Sequence, residues 1–250
     1  MEVQNWFGPL PDEALAEEPT PAGFDWDLFL GQAPSRPHHW RYWLKDQREY
    51  NGARWRGWDM WRDYSGHLMN NWGAHAIDMV QWSLGIDDAG PVEIPPLMDQ
   101  FDGDMRTYPV VARYATGTEL RMNIPKGFYA GGFFHGERGE MKIVRNRFTP
   151  MPRDLVRENP DVALREKWMG KGFVARLHLQ NWIDCIRSRQ DPVAPVEVGH
   201  RSATVCHLAG IARELKRKLR WNPVAETFPD DAQANVLVDR PKRDGWELPT

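Results

Sequence analysis

The stretch from residue 65 to residue 85 constrains the fold of this chain more than any other. Its apolar residues recur at intervals of three and four, at Leu68, Met69, Trp72, Ala76, Ile77, Val80 and Leu84. This spacing is typical of a helix that buries one side, and Gly85 is a residue type that commonly ends a helix. We therefore predict one amphipathic helix over residues 65–85.

A second face of the predicted helix is polar. Asn71, His75 and Asp78 are spaced by four and then three residues, so they lie on one side of the helix, and this side continues to Trp82. An imidazole flanked by an amide and a carboxylate could move a proton near neutral pH, and we predict that these three residues are catalytic. The same arrangement is also compatible with a structural histidine that hydrogen-bonds where the helix meets a polar loop.

Tryptophan and arginine alternate just before this helix, between residues 40 and 62. Flat aromatic faces and guanidinium donors suit a sugar ring, which has an apolar face and a ring of hydroxyl groups. The predicted substrate-binding residues are Trp55, Arg56, Trp58, Trp72 and His178. Aromatic residues three apart are equally typical of a segment that packs on the core, so we expect some of these tryptophans to be buried.

The hydrophobic pattern changes to a period of two after the helix. Residues 110–115 and 119–124 flank a Thr-Gly-Thr turn and predict a hairpin, and residues 133–147 predict another. Two further helices are predicted over residues 174–188 and 200–218. The expected fold class is α+β, with an antiparallel β-sheet and helices packed on one face.

The first 40 residues have a different composition from the rest. They are rich in proline and in acidic residues. The prolines break long helices and central strands. We predict an extended, Pro-rich lead-in over residues 1–40, docked near Trp26 and Phe29, and a single α+β domain over residues 41–250.

Charge and composition exclude several classes of function. The formal net charge is -3, and basic and acidic residues are mixed along the chain, so we expect neither a nucleic acid nor a membrane partner. No signal peptide and no apolar run of about 20 residues is visible, which predicts a cytoplasmic location. The eight histidines are scattered, and we predict no metal site, the alternative being His75 and Asp78 with a distant His or Glu.

Several separated motifs resemble one known family. The sequence GHLMNNWGAHAIDMVQWSLG, at residues 66–85, resembles the signature helix of the Gfo/Idh/MocA oxidoreductases, which use a nicotinamide cofactor on sugars and cyclitols. The segments 23–37, 178–192, 196–212 and 219–223 are similar to further parts of the same family, in the same order. The likeness covers nearly the whole chain and corresponds to the C-terminal domain, without the N-terminal Rossmann domain.

The resemblance implies roles for individual residues. His75 takes the place of the family's catalytic histidine, and Asn71 takes the place of an aspartate, although asparagine also occurs there in some members. An amide cannot exchange a proton, but it can orient a hydroxyl group. The family's catalytic lysine belongs to the Rossmann domain, in a Glu-Lys-Pro segment that these 250 residues lack.

A dinucleotide site is not expected in this chain. Residues 170–175 fit the pattern G-x-G-x-x-A, but the residues before them do not read as a strand, and the fingerprint requires a strand that leads into the glycine turn. We therefore predict no cofactor in this chain, with NAD(P) bound only if a Rossmann domain is supplied elsewhere or by a nucleotide-binding partner chain.

Two classes of function follow from the sequence. The first is the substrate domain of an oxidoreductase that acts on a sugar or cyclitol. The second is a free-standing protein that needs no cofactor: a lyase, hydratase or hydrolase acting on keto-sugars, or a module for sugar binding or oligomerisation. We also predict a homo-oligomer, because one face of the sheet is left uncovered and that face pairs with another subunit in the resembled family.

Overall fold

The computed structural model describes residues 1–44, 55–86, 88–124, 131–144, 147–156 and 176–247. Eight strands form one sheet: β1 (Glu2–Gln4), β2 (Pro91–Ile94), β3 (Val110–Tyr114), β4 (Glu119–Ile124), β5 (Gly131–Gly136), β6 (Gly139–Val144), β7 (Arg147–Met151) and β8 (Leu219–Arg220). Their spatial order is β7-β6-β5-β1-β4-β3-β2-β8. β1 runs parallel to β4, and the other neighbouring strands pair antiparallel.

Five α-helices accompany the sheet in the described part of the chain: α1 (Trp26–Leu30), α2 (His67–Leu84), α3 (Arg176–Ser188), α4 (Val196–Leu215) and α5 (Ala232–Asn235). α2 and α4 pack against each other, while α2 also contacts β1 and β5 and α4 contacts β2 and β3. The core lies between these two helices and the sheet. The predicted α+β class, with an antiparallel sheet and covering helices, is confirmed. No helix in the described ranges is long and apolar enough to cross a membrane.

The organising helix forms close to where its periodicity predicted it. α2 spans residues 67–84, and Gly85 ends it in the left-handed conformation at φ 65°. Met69, Ala76, Ile77 and Val80 are buried on its inner face. The apolar interval of three and four residues therefore corresponds to the face that contacts the sheet and α4.

Both predicted hairpins are present. β3 and β4 are joined by a tight turn in which Gly117 has φ 84°, a conformation that a glycine adopts without steric cost. β5 and β6 are joined through Gly136 and Gly139, which pair at the end of their ladder. Val110, Ala112, Leu120 and Met122 point to the core, as the alternating pattern predicts, but Val111 on the opposite face of β3 is buried as well.

The first residues of the chain differ from the predicted lead-in. β1 lies in the middle of the sheet between β4 and β5, and Val3 and Trp6 are part of the core. The prolines that argued against a central strand begin only at Pro9, beyond β1. A three-residue strand is too short to give a periodic signal, so the boundary at residue 40 does not separate the first residues from the domain.

The remainder of the lead-in packs through an aromatic cluster, which we define as Phe24, Trp26, Phe29, His38, Tyr42, Trp43, Trp61 and Tyr64. Tyr42 and Trp61 are fully buried in it, with ring centroids 5.1 Å apart. Arg243 adds a second attachment, because its Nε donates to the carbonyl of Gly31 at 2.9 Å. Docking of the lead-in near Trp26 and Phe29 is thus confirmed.

Helix α3 is amphipathic but buries none of its residues. Leu179, Trp182, Ile183 and Ile186 follow helical spacing, and Trp182 is 56% exposed. These four side chains form one apolar face, which we call the α3 face. Such a face on a helix normally packs against something, so its exposure bears on which partners the protein requires.

Candidate functional site

The predicted catalytic residues lie on the outer face of α2. Asn71, His75 and Asp78 are all exposed, and Trp82, which continues this face, is 72% exposed. We call Asn71, His75 and Asp78 the α2 polar stripe. Trp72 borders it: its ring lies 6.0 Å from that of His75 and stacks on buried Trp6 at 6.2 Å. The stripe is therefore a rigid, solvent-facing row of polar groups, supported from below by the core.

Asp78 is attached to a neighbouring helix by a hydrogen bond. The hydroxyl group of Ser202 on α4 donates to Asp78 Oδ1 at 3.0 Å. Behind it, Gln81 Nε2 donates to the Ser202 oxygen at 3.5 Å, and the Tyr114 hydroxyl donates to Gln81 Oε1 at 3.2 Å. Gln81 is completely buried, and burial raises the pKa of Tyr114, so the phenol remains a donor. This chain of hydrogen bonds joins β3, α2 and α4 and ends on the Asp78 carboxylate.

The stripe alone can perform one part of a reaction. A neutral imidazole at His75 can take a proton from a hydroxyl group, and the Asn71 amide can orient that group. Asp78 is already engaged by Ser202, which favours a positioning role for it over direct proton transfer. The sequence prediction of all three residues as catalytic stays a prediction.

The predicted substrate-binding residues do not all come together. Trp72 lies beside His75, whereas His178 is exposed on α3. Trp58 is half-buried in the 3₁₀ turn Trp55–Met60. The side chains of Trp55 and Arg56, and the G-x-G-x-x-A pattern at 170–175, lie outside the described residues.

A cavity of about 890 Å³ lies elsewhere in the molecule. Most of its wall comes from residues 8–12, the start of α2 with the residues before it, one side of α4, and residues 237–242, and shorter segments at 32–34, 105–106, 221 and 226 complete it. None of Asn71, His75 and Asp78 lines it. Its volume is in the range that binds small molecules in other proteins.

Two histidines of α4, His200 and His207, line this cavity. The Asn70 amide lies 3.0 Å from His207 Nε2, and Glu226 lies 2.5 Å from His200 Nε2. Arg240 lines the wall contributed by the C-terminal segment. His207 and Arg240 are accessible from the cavity, yet protein surrounds both closely enough for burial to lower the pKa of each.

Several positive charges lie near one another in this cavity. After burial, the charge of Arg240 is the main cause that lowers the pKa of His207, and the charge of Arg62 lowers the pKa of Arg240 in the same way. These cations therefore stand within electrostatic reach of one another. Sequence reasoning missed this cluster; the one available signal was that His200 and His207, seven residues apart, fall on the same face of a helix.

No group of three His, Cys, Asp or Glu side chains in the described ranges is arranged to hold a metal ion. Asp78, one of the suggested ligands, is bonded to Ser202 instead. His75 has Trp72 as its ring neighbour.

The sequence was compared with family models and with curated proteins. Residues 3–248 match the model for the Gfo/Idh/MocA oxidoreductase family described as the C-terminal alpha/beta domain. No curated protein matches the chain. Because the match covers essentially the whole chain and agrees with the observed sheet and its covering helices, the protein belongs to the Gfo/Idh/MocA oxidoreductase family and carries its C-terminal alpha/beta domain.

Proposed function

We propose that this protein is the substrate domain of an oxidoreductase that acts on a sugar or cyclitol, and that a nucleotide-binding domain or partner chain completes its active site. The observation that carries the proposal is the exposure of the α2 polar stripe. His75 and Asn71 face outward, on a helix that the core holds rigidly through Trp72 and Trp6. A stripe of this kind becomes a pocket when a second domain covers it.

The chemistry requires such a second domain. Oxidation of a secondary alcohol removes a proton from oxygen and a hydride from carbon. His75 takes the proton, and Asn71 holds the hydroxyl group in place. A bound nicotinamide supplies the hydride acceptor. A dinucleotide is held where a strand leads through a glycine turn into a helix, and we propose that the covering domain supplies this arrangement.

The α3 face supports the need for a partner. Leu179, Trp182, Ile183 and Ile186 leave an apolar surface in water, which costs free energy unless another surface covers it. Trp82 exposes a further apolar side chain at the end of the stripe. Covering domains that contact these surfaces would bury these side chains.

A cofactor-independent lyase, hydratase or hydrolase is supported less well. Proton transfer without a cofactor needs a site that excludes water and fixes the substrate on several sides. His75 instead lies on an exposed helix face, outside the walls of the cavity of about 890 Å³.

The proposal is tested by following the ring signals of the histidines in NMR spectra while ligands are added, with His75 assigned through His75→Gln. We expect myo-inositol or a keto-inositol to shift the His75 signal at millimolar concentration, because half of the substrate site is present. His135, exposed on β5, is the internal control and should not shift. Calorimetric titration with NAD and NADP should show no micromolar binding.

Two results would contradict the proposal. Micromolar binding of NAD or NADP would mean that this chain holds its own cofactor site. The α2 polar stripe would be excluded as a substrate site if the signals of His75 and His135 shifted equally. It would also be excluded if no cyclitol or sugar shifted the His75 signal up to 100 mM, about the weakest affinity that such a half-site should have.

We also propose that the protein is a homo-oligomer. The outer face of β2, β3 and β4 does not offer an apolar contact surface, because it is charged: Arg113 binds Glu93 at 2.7 Å and Glu119 at 2.8 Å. We therefore place the contact between subunits at the β7 edge, where the apolar side chain of Met151 is 65% exposed. We expect sedimentation at micromolar concentration to give a mass of at least two chains. Met151→Lys should weaken the association of the chains. A wild-type monomer at that concentration would refute the proposal.

A further inference from the structure

We propose that the cavity between α4, the start of α2 and the C-terminal segment is a second ligand site, which binds a small molecule through a carboxylate or phosphate group. This site is separate from the α2 polar stripe, and the inference does not depend on the proposed oxidoreductase function. It rests on three properties of the cavity: its volume, its unpaired cation, and its row of polar side chains.

The carboxylates of the cavity wall are all held in ion pairs. Each of the five has a cationic partner within ion-pair distance. The pairs are Asp12 and Asp63 with Arg36, Glu214 with Arg62, Glu226 with Arg201 and His200, and Asp239 with Lys242. Because Asp12 and Asp63 share one guanidinium, this pairing reduces the negative charge of the wall without cancelling it.

Arg240 is different, because it forms no ion pair and no hydrogen bond with any described residue, although Asp63 and Glu214 lie within electrostatic reach. Its side chain is exposed, and partial burial and the charge of Arg62 lower its pKa, while the charges of Asp63 and Glu214 act in the opposite direction. Lys216, another lining residue, also has no ion pair within the described ranges. Arg62 and Lys242 are paired, but Arg240 and Lys216 have no ion-pair partner among the described residues, and a cation of this kind attracts an anion.

Opposite Arg240, His207 and Asn70 provide polar contacts. Asn70 Nδ2 lies 3.0 Å from His207 Nε2 and 3.4 Å from Nδ1, so in the neutral ring the amide donates to whichever of these nitrogens carries no proton. The protonated ring has an N–H on each nitrogen and can donate to an anionic ligand. An anion placed between Arg240 and His207 would oppose the repulsion that lowers the pKa of His207, so binding and protonation of this ring should favour each other.

An arginine fork binds carboxylate and phosphate groups through two parallel hydrogen bonds, so both chemistries fit Arg240. The volume of about 890 Å³ leaves space for a body of sugar size attached to the anionic group. Glucose, gluconate, glucose 6-phosphate and inorganic phosphate therefore form an informative set of probes. They separate the contribution of the charge from that of the body, and a carboxylate from a phosphate.

The experiment is calorimetric titration of the full chain with each probe at pH 6.5, on the wild type, Arg240→Gln and Arg220→Gln. Arg220 is an exposed arginine on β8 that does not line the cavity, so its variant matches the loss of charge elsewhere. We expect gluconate or glucose 6-phosphate to bind at least tenfold more tightly than glucose, and a tenfold change is about 1.4 kcal/mol. Arg240→Gln should weaken the binding of the anion by at least tenfold. Arg220→Gln should leave this binding unchanged.

The His207 ring signal provides a second measurement. The favoured anion should shift its titration midpoint to higher pH, and should leave the His75 signal unchanged, which distinguishes this site from the α2 polar stripe. Three results would overturn the inference: no anion binding in the wild type at 10 mM (roughly the limit of a specific small-molecule site), equal affinity for glucose and its anionic relatives, or equal loss in both arginine variants. Since Arg240 forms no hydrogen bond or ion pair with the described residues, its variant should keep the wild-type melting temperature, which the same samples report.

Discussion

Replacing Arg213 with methionine should lower the free energy of unfolding by roughly 2–4 kcal/mol, the cost of leaving two buried carbonyl groups without donors. Arg213 is 5% exposed near the end of α4. Its Nε donates to the carbonyl of Tyr108 at 3.0 Å, Nη1 to the carbonyl of Trp6 at 2.9 Å, and Nη2 to Asn5 Oδ1 at 2.6 Å. One side chain thus joins α4, the exit of β1 and the residues before β3.

The guanidinium has no carboxylate partner among the described residues, and burial lowers its pKa to about 10. It therefore remains charged at neutral pH, stabilised by neutral oxygens alone. Methionine fills a similar volume and removes the buried charge, but it cannot satisfy the carbonyls of Trp6 and Tyr108. The expected loss comes from those acceptors rather than from an ion pair.

Urea unfolding followed by tryptophan fluorescence measures this effect. Arg217→Met is the matched control, because Arg217 lies just beyond the same helix and binds Asp231 at the surface at 2.6 Å. Exposed ion pairs contribute about 0–1 kcal/mol, so this control should change stability by no more than that. Equal effects of the two substitutions would show that the buried hydrogen bonds of Arg213 do not hold the first residues in the core.

The role of Arg213 illustrates what the sequence could not predict. In the sequence it is a basic residue in the last turn of a helix, a position where such residues usually face solvent and interact with the helix dipole. Its three acceptors come from residues about 100 and 200 positions away. No local pattern carries that information, and the same reason explains why the parallel pairing of β1 with β4 was not foreseen.

Elements with strong local periodicity were predicted well. α2 and both hairpins follow from spacing and turn residues within about 20 positions, because the chain there contacts mainly its own neighbours. The cavity had no comparable signal. Its walls include residues 8–12, 62–70, 200–216 and 237–242, and only the fold brings these segments together.

The polar stripe lies between these two cases. Its face on α2 was predictable, since Asn71, His75 and Asp78 share one side of a helix by spacing alone. Its exposure was not, because exposure depends on what packs against α2. The attachment of Asp78 to Ser202 was equally hidden, since the two residues are 124 positions apart.

In the oxidoreductase completed by its nucleotide-binding domain, His75→Ala should lower kcat by about 10²- to 10⁴-fold, the usual contribution of a general base. The substitution removes the group that takes the hydroxyl proton, while binding of the substrate through other contacts remains. The fold should tolerate it. His75 is exposed, and its ring neighbour Trp72 is held independently by its stacking on Trp6. Melting temperature should therefore stay within a few degrees of the wild type.

His135→Ala is the control for this experiment. His135 is also exposed but lies on β5, where its Nδ1 is 2.8 Å from Glu140, away from the polar stripe. It should keep nearly full kcat, so a similar loss in both variants would indicate a general effect of losing an imidazole. A fall in the melting temperature of His75→Ala that parallels the loss of kcat would instead assign His75 a structural role. If kcat falls while the melting temperature and the KM for the sugar or cyclitol hold, His75 acts on the proton itself, because a residue that only bound substrate would change KM first.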